Sequence, residues 1–141
     1  MAERGFGFTE IEHTADWALK VWAPNLAGLF AQAAEGMYWL METGLADGPR
    51  EERAFEVEGI DNESMLVAFL SELLYWGETE GLGFDQIAVD IQETHLRAHL
   101  RAVARGAPIA LQKKEIKAVT YHNLAIHHAA GSYTVTIVFD V

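Results

Sequence analysis

The stretch SYTVTIVFDV, from Ser132 to Val141, sets Tyr133, Val135, Ile137 and Phe139 in alternation with Thr134, Thr136 and Val138. A side-chain period of two is that of a β-strand with one buried face. Gly131 and a second strand-like run from Leu124 to His128 precede it, so the pair reads as an antiparallel hairpin.

Working outward, Phe84 to Glu93 and Thr94 to Ala104 are also strand-like, followed by a turn expected at Gly106-Ala107-Pro108. Glu51 to Val57 reads as a strand, with Phe55 and Val57 alternating against Ala54, Glu56 and Glu58. Near the N-terminus Thr9, Ile11 and His13 alternate with Glu10 and Glu12, and Trp17, Leu19 and Val21 resume the pattern after Asp16. Two strands joined through a corner at HTAD are the simplest reading.

Two segments change period. Leu26, Leu29, Phe30, Ala33, Met37, Leu40 and Met41 recur at spacings of three and four, and Asn25 can cap that helix. Asp61-Asn62-Glu63-Ser64 offers capping oxygens before MLVAFLSELLYW, a second helix ending near Gly81 or Gly83. Its stripe of Met65, Phe69, Leu73 and Trp76, widened by Leu66, Leu70 and Leu74, predicts burial between a sheet and the other helix. The expected fold is α+β, a largely antiparallel β-sheet with two main α-helices on one face, a two-layer sandwich in a single domain over residues 1–141.

Composition bounds the chemistry. The chain has 141 residues, half of them hydrophobic, and no cysteine, so thiolate nucleophiles and Cys-ligated metals are excluded. Any metal must use oxygen or imidazole ligands. The opening MAERGFGFTE does not resemble a secretory signal and no apolar run approaches a membrane span, which makes the cytoplasm the expected location and no membrane partner expected. A net charge of -11 opposes a direct grip on RNA, which is gained largely by Lys and Arg neutralising phosphates. The arginines Arg97, Arg101 and Arg105 and the lysines Lys113, Lys114 and Lys117 are bunched, and read as a solvated face ahead of a docking patch.

Three constellations carry chemistry. In EHTAD, Glu12 to Asp16, the aspartate is either a cation ligand between rigid strands or a turn residue serving local backbone donors. At the C-terminus Asp140 and the carboxylate of Val141 repel one another, which a hard cation would relieve; a solvated, frayed end is the alternative. In KEIKAVTYHNLAI, Lys117, Thr120, Tyr121, His122 and Asn123 form either a binding lip at a sheet edge or a hydrogen-bonded loop anchor. His127 and His128 are adjacent in a strand and point to opposite faces. No HExxH, GxSxG or glycine-rich phosphate loop occurs.

EHTAD, the run KAVTYHNLAI from Lys117 to Ile126 and the ending VFDV together resemble the signatures of the archease family, and the helix from Asp61 to Trp76 resembles that family's second helix. The resemblance spans the chain and departs at Trp17 and Ala18, where members commonly carry a small aliphatic residue and glycine, and at His127 and His128. It implies a non-enzymatic accessory factor of a tRNA-splicing RNA ligase, promoting GTP-dependent guanylylation of the ligase and its multiple turnover. RNA would be met only through the ligase. It also implies a divalent-cation site, calcium with magnesium or manganese as alternatives, at Asp16, Asp140 and Val141, with His13, Lys117 and His122 as the surrounding polar residues. Readings of other classes are a small metal-dependent hydrolase acting on nucleotides or phosphodiesters, and a protein-binding module with a structural metal.

Overall fold

A computed structural model describes residues 5–11, 16–93 and 97–141. In chain order the elements are β1 (Gly7–Ile11), β2 (Trp17–Ala23), α1 (Leu26–Leu40), β3 (Thr43–Leu45), β4 (Glu51–Gly59), α2 (Asn62–Glu80), β5 (Leu82–Glu93), β6 (Ala98–Gln112), β7 (Ala118–Val119), β8 (His127–Ala129) and β9 (Ser132–Asp140). The class is α+β with antiparallel pairing throughout the described strands.

The strands divide into two sheets, one of five strands in the order β1-β2-β9-β7 with β8 also on β9, the other of four strands built around β6. Both follow one plan. β9 is flanked on one side by β2 and on the other by the short β7 and β8, while β6 is flanked by β5 on one side and by β4 and then β3 on the other.

Each helix starts where its sequence can satisfy free backbone donors. The Asn25 side chain accepts from the Gly28 N–H at 2.7 Å, and Asp61 accepts from the Ser64 N–H at 2.7 Å within a reciprocal capping box. α2 stops at Gly81, whose φ of 65° is the left-handed conformation that glycine adopts without steric cost.

Leu29, Phe30, Ala33, Ala34, Met37 and Leu40 of α1 are all buried, a stripe too broad for one contact surface. α1 accordingly packs on β1 and β2 of the first sheet and on β5 of the second, and α2 on β4, β5 and β6 as well as β7. One core results, with Phe30 of α1 tilted against Phe69 of α2 at 5.7 Å and Phe69 stacked on Phe55 of β4 at 6.0 Å. α1 also meets β2 at close range: a Cβ on Gly36 would lie 2.5 Å from Leu19 Cδ2.

The turn expected at residues 106–108 is not formed, because β6 runs unbroken from Ala98 to Gln112. Gly106 is required there by close approach, since a Cβ would collide with the carbonyl of Gly83 at the bulge in β5. Pro108 is tolerated for a different reason. Its carbonyl accepts from the Ala46 N–H at 2.8 Å, and in an extended strand the N–H and C=O of a residue point to the same side. The donor that proline lacks would therefore face the break between β3 and β4, so no β5 ladder bond is lost.

The arginines expected on a solvated face are there. Arg101 lies on the outward face of β6 and pairs with Glu56 of β4 at 3.1 Å, and Arg97 pairs with Glu58 at 2.9 Å. Arg50 grips Asp85 with two nitrogens, at 2.7 and 3.2 Å, tying the β3–β4 loop to β5. The neighbouring carboxylate raises the Arg50 pKa further above its ordinary value.

Candidate functional site

The ladder between β2 and β9 ends at the pair Trp17↔Phe139, so Asp16 and Asp140 occupy the next positions on adjacent strands. Leu19, Val21, Val135, Ile137 and Phe139 are buried toward the helices; by strand alternation Asp16 and Asp140 belong to the opposite phase. Asp140 is exposed and Asp16 half-buried. Register thus brings these two carboxylates to one end of the five-stranded sheet, although they are 124 positions apart in sequence.

β7 closes the other side of Asp140. Ala118 pairs with Asp140 and Val119 with Phe139, and the Lys117 N–H donates to the Asp140 carbonyl at 2.8 Å. The residue beside Asp140 is therefore a small alanine, which leaves room around the carboxylate. Lys117 joins through its backbone; its exposed side chain falls in the alternate phase.

The following turn is strongly bonded. Thr120 donates twice to the Val138 carbonyl, from its N–H at 3.1 Å and its hydroxyl at 2.8 Å. The same hydroxyl accepts from the His122 N–H at 3.3 Å, and Leu124 N–H reaches the Tyr121 carbonyl at 3.1 Å. Asn123 takes the left-handed conformation, φ 50°, with its Nδ2 at 3.3 Å from His122 Nε2. His122 is thus held by its own turn and exposed, two residues past Thr120, which bonds Val138 of β9. The anchor reading of this segment has direct support in these bonds, and the exposed Lys117, Tyr121 and His122 leave the lip reading compatible with them.

Glu63 is a residue that sequence reasoning assigned only to helix capping. Its Oε2 accepts from the Ile126 N–H at 2.8 Å, tying the far end of the turn to the first turn of α2. With the partners 63 positions apart in sequence, no local pattern announces the bond.

β8 runs from His127 to Ala129, later than the expected Leu124 to His128, because Leu124 and Ile126 leave the ladder to pack against the core. His128 stacks on Tyr133 with ring centroids 3.9 Å apart. Trp17, the departure from the family pattern, packs against the core with Lys114 Nζ 5.4 Å from its ring centroid.

The residues suit a hard cation in type but only partly in number. Among the described residues no three of His, Cys, Asp and Glu converge. Asp16 and Asp140 supply carboxylate oxygens, the preferred ligands of calcium, magnesium or manganese, and Val141, which packs partly on the core, follows directly. His13 and the rest of the corner, residues 12–15, lie outside the described residues.

The fold and this strand-end pair define a class: a small two-sheet α+β protein with two carboxylates on adjacent strands at one end of a sheet. The profile of the Archease protein family (MTH1598/TM1083) matches residues 8–141, and the chain belongs to that family. The protein archease of Methanopyrus kandleri is 35% identical over 136 residues, covering 94% of this chain and 97% of the relative. That of Thermococcus gammatolerans is 37% identical over 119 residues, covering 82% and 84%. The solution structure of Methanobacterium thermoautotrophicum protein 1598 superposes with a TM-score of 0.76 at 29% identity, covering 97% of this chain and 99% of that one. A Thermotoga maritima structure described as "an archease, possible chaperone" shares the fold at a TM-score of 0.66 and 21% identity, covering 93% and 94%. No helix among the described residues is long and apolar enough to cross a membrane.

Proposed function

We propose that this chain is a non-catalytic activator of a tRNA-splicing RNA ligase, promoting the ligase's GTP-dependent guanylylation and multiple turnover through a cation-bearing tip. The observation that carries the reading is the adjacency of Asp16 and Asp140 at the end of the β2–β9 ladder, within a chain of the archease family. Asp16, Asp140 and Val141 hold the cation, calcium or else magnesium or manganese. When bound, the cation supplies positive charge able to offset that of GTP phosphates. Lys117 and His122, both exposed, meet the ligase, with His13 in the same polar surround. RNA is handled by the ligase, in keeping with the net charge of -11 here, and the protein works in the cytoplasm.

The test is transfer of GMP to a ligase from the same organism, with and without this protein, at limiting divalent cation. Stimulation lost in Asp16→Ala and Asp140→Ala, with melting unchanged, is the expected result; full stimulation by both variants would reject the tip. Nucleotide or phosphodiester turnover without ligase would favour the hydrolase instead. Normal stimulation after chelation would assign any metal a structural role.

A further inference from the structure

β1 is an edge strand: among the described residues it pairs with β2 alone. Open edges are templates for another strand, and proteins usually blunt them with lysine, proline or a covering element. GFTEI has neither lysine nor proline, and Thr9, Glu10 and Ile11 are exposed. The helix-facing side of this edge is apolar and acidic together. Phe8 sits 5.9 Å from the ring of Trp39, which is 56% exposed on α1. Two clefts of about 560 and 580 Å³ run along β1 and α1 and meet at Glu35.

The charges in these clefts are Glu10, Glu35, Glu42 and Lys114. Lys114 is matched by Glu42 at 3.2 Å, whereas among the described residues Glu35 accepts only from the neutral Gln32 and Glu10 has no ion pair. Lys20 lies opposite Thr9, on the other face of the ladder. Among the described residues the groove therefore offers backbone groups outside any ladder, an exposed aromatic ring and a negative charge without an ion pair along one line.

From this juxtaposition we infer that β1 accepts a basic, extended segment of a partner protein as an added strand, its backbone on Gly7–Ile11, its apolar side chains on Phe8 and Trp39 and its cations at Glu10 and Glu35. Charge complementarity argues for this occupant over a second copy, because β1 against β1 would bring Glu10 toward Glu10. The surface begins at the tip, where Ile11 pairs with Ala18, and leads away from it toward Gly7. A partner engaged at the tip can therefore reach it, but the inference does not depend on the cation reading.

The experiment follows backbone amides of the full chain by NMR and hydrogen exchange while adding a blocked eight-residue peptide alternating lysine and valine, with a glutamate–valine peptide as control. Slowed exchange and shifts confined to residues 7–11 and the facing side of α1, seen with the lysine peptide and weakened by salt, are expected. Joint Glu10→Lys and Glu35→Lys substitution, both at exposed positions, should weaken binding about tenfold. Trp39→Ser serves as an uncharged second variant and should also weaken it. Asp16→Ala with Asp140→Ala should leave peptide binding unchanged, separating this surface from the tip. The inference is overturned by equal response to both peptides or by shifts centred elsewhere. It also fails if residues 7–11 are already protected without peptide, whether in proportion to protein concentration, as for a second copy, or independently of it, as for coverage by residues 1–4.

Discussion

Gly106 lies so close to the carbonyl of Gly83 that the two strands leave no space for a Cβ between them. The obstacle is backbone on both sides, held by the β5–β6 ladder, and a rotamer change cannot relieve it. Gly106→Ala should destabilise the protein by about 3 kcal/mol in urea unfolding, at the upper end of overpacking costs. Gly44→Ala is the control, since the nearest atom to its Cβ is Leu111 Cβ at 3.7 Å, ordinary contact; it should change stability by under about 1 kcal/mol.

The β8–β9 hairpin turns through Ala130 and Gly131, both left-handed, with φ of 52° and 74°. Two positive φ values in succession match the turn that favours Asn-Gly. Alanine pays about 1 kcal/mol for that conformation, so Ala130→Asn should raise stability by a similar amount. Thermal melts of the two proteins decide it, and an unchanged or lower midpoint would refute the strain.

Tyr38 is mostly buried, and among the described residues its hydroxyl has no hydrogen-bond partner of normal geometry. Desolvation pushes its pKa well above the usual 10; the Phe84 backbone, near enough to act electrostatically, opposes this less strongly. The folded protein therefore keeps the proton while the unfolded chain releases it, so this contribution to stability is intact below the unfolded pKa and declines as pH rises past it. Tyr38→Phe should be neutral or stabilising at pH 7 and should flatten the loss of stability above about pH 10, as read from unfolding curves across pH.

The bond from Glu63 to the Ile126 N–H gives a paired test. Glu63→Gln keeps an acceptor oxygen and should be nearly silent. Glu63→Ala leaves a part-buried N–H unmatched, costing about 1–2 kcal/mol, with faster exchange of the Ile126 amide. Equal exchange in both variants would show that the bond does not hold the turn.

If Asp16 and Asp140 hold a cation, calcium should stabilise the folded chain by mass action, by about 2.7 kcal/mol at a hundredfold excess over the dissociation constant. Asp16→Ala and Asp140→Ala should each remove most of that increment while melting normally in chelator. A calcium-induced rise that persists in both variants would place the cation elsewhere.

The helices and most strands were legible because their causes are local. Asn25 and Asp61 cap where their side chains reach the next turn, and Tyr133 to Phe139 alternate because one face is buried. The turn expected at Gly106 and Pro108, where β6 runs on unbroken, marks the limit of that legibility. Both residues break structure by local rules, but here the close carbonyl of Gly83 requires the glycine, and the proline faces a gap between two strands. The residue types and spacing of EHTAD, KAVTYHNLAI and VFDV carried the family unaided. Whether Asp16 has anything to do with Asp140 was open in sequence, since a turn aspartate and a terminal aspartate look unrelated. Only the pairing of β2 with β9 placed them on adjacent strands, because register is set by burying Leu19, Val21, Val135 and Ile137 together against α1, a choice no single segment makes alone.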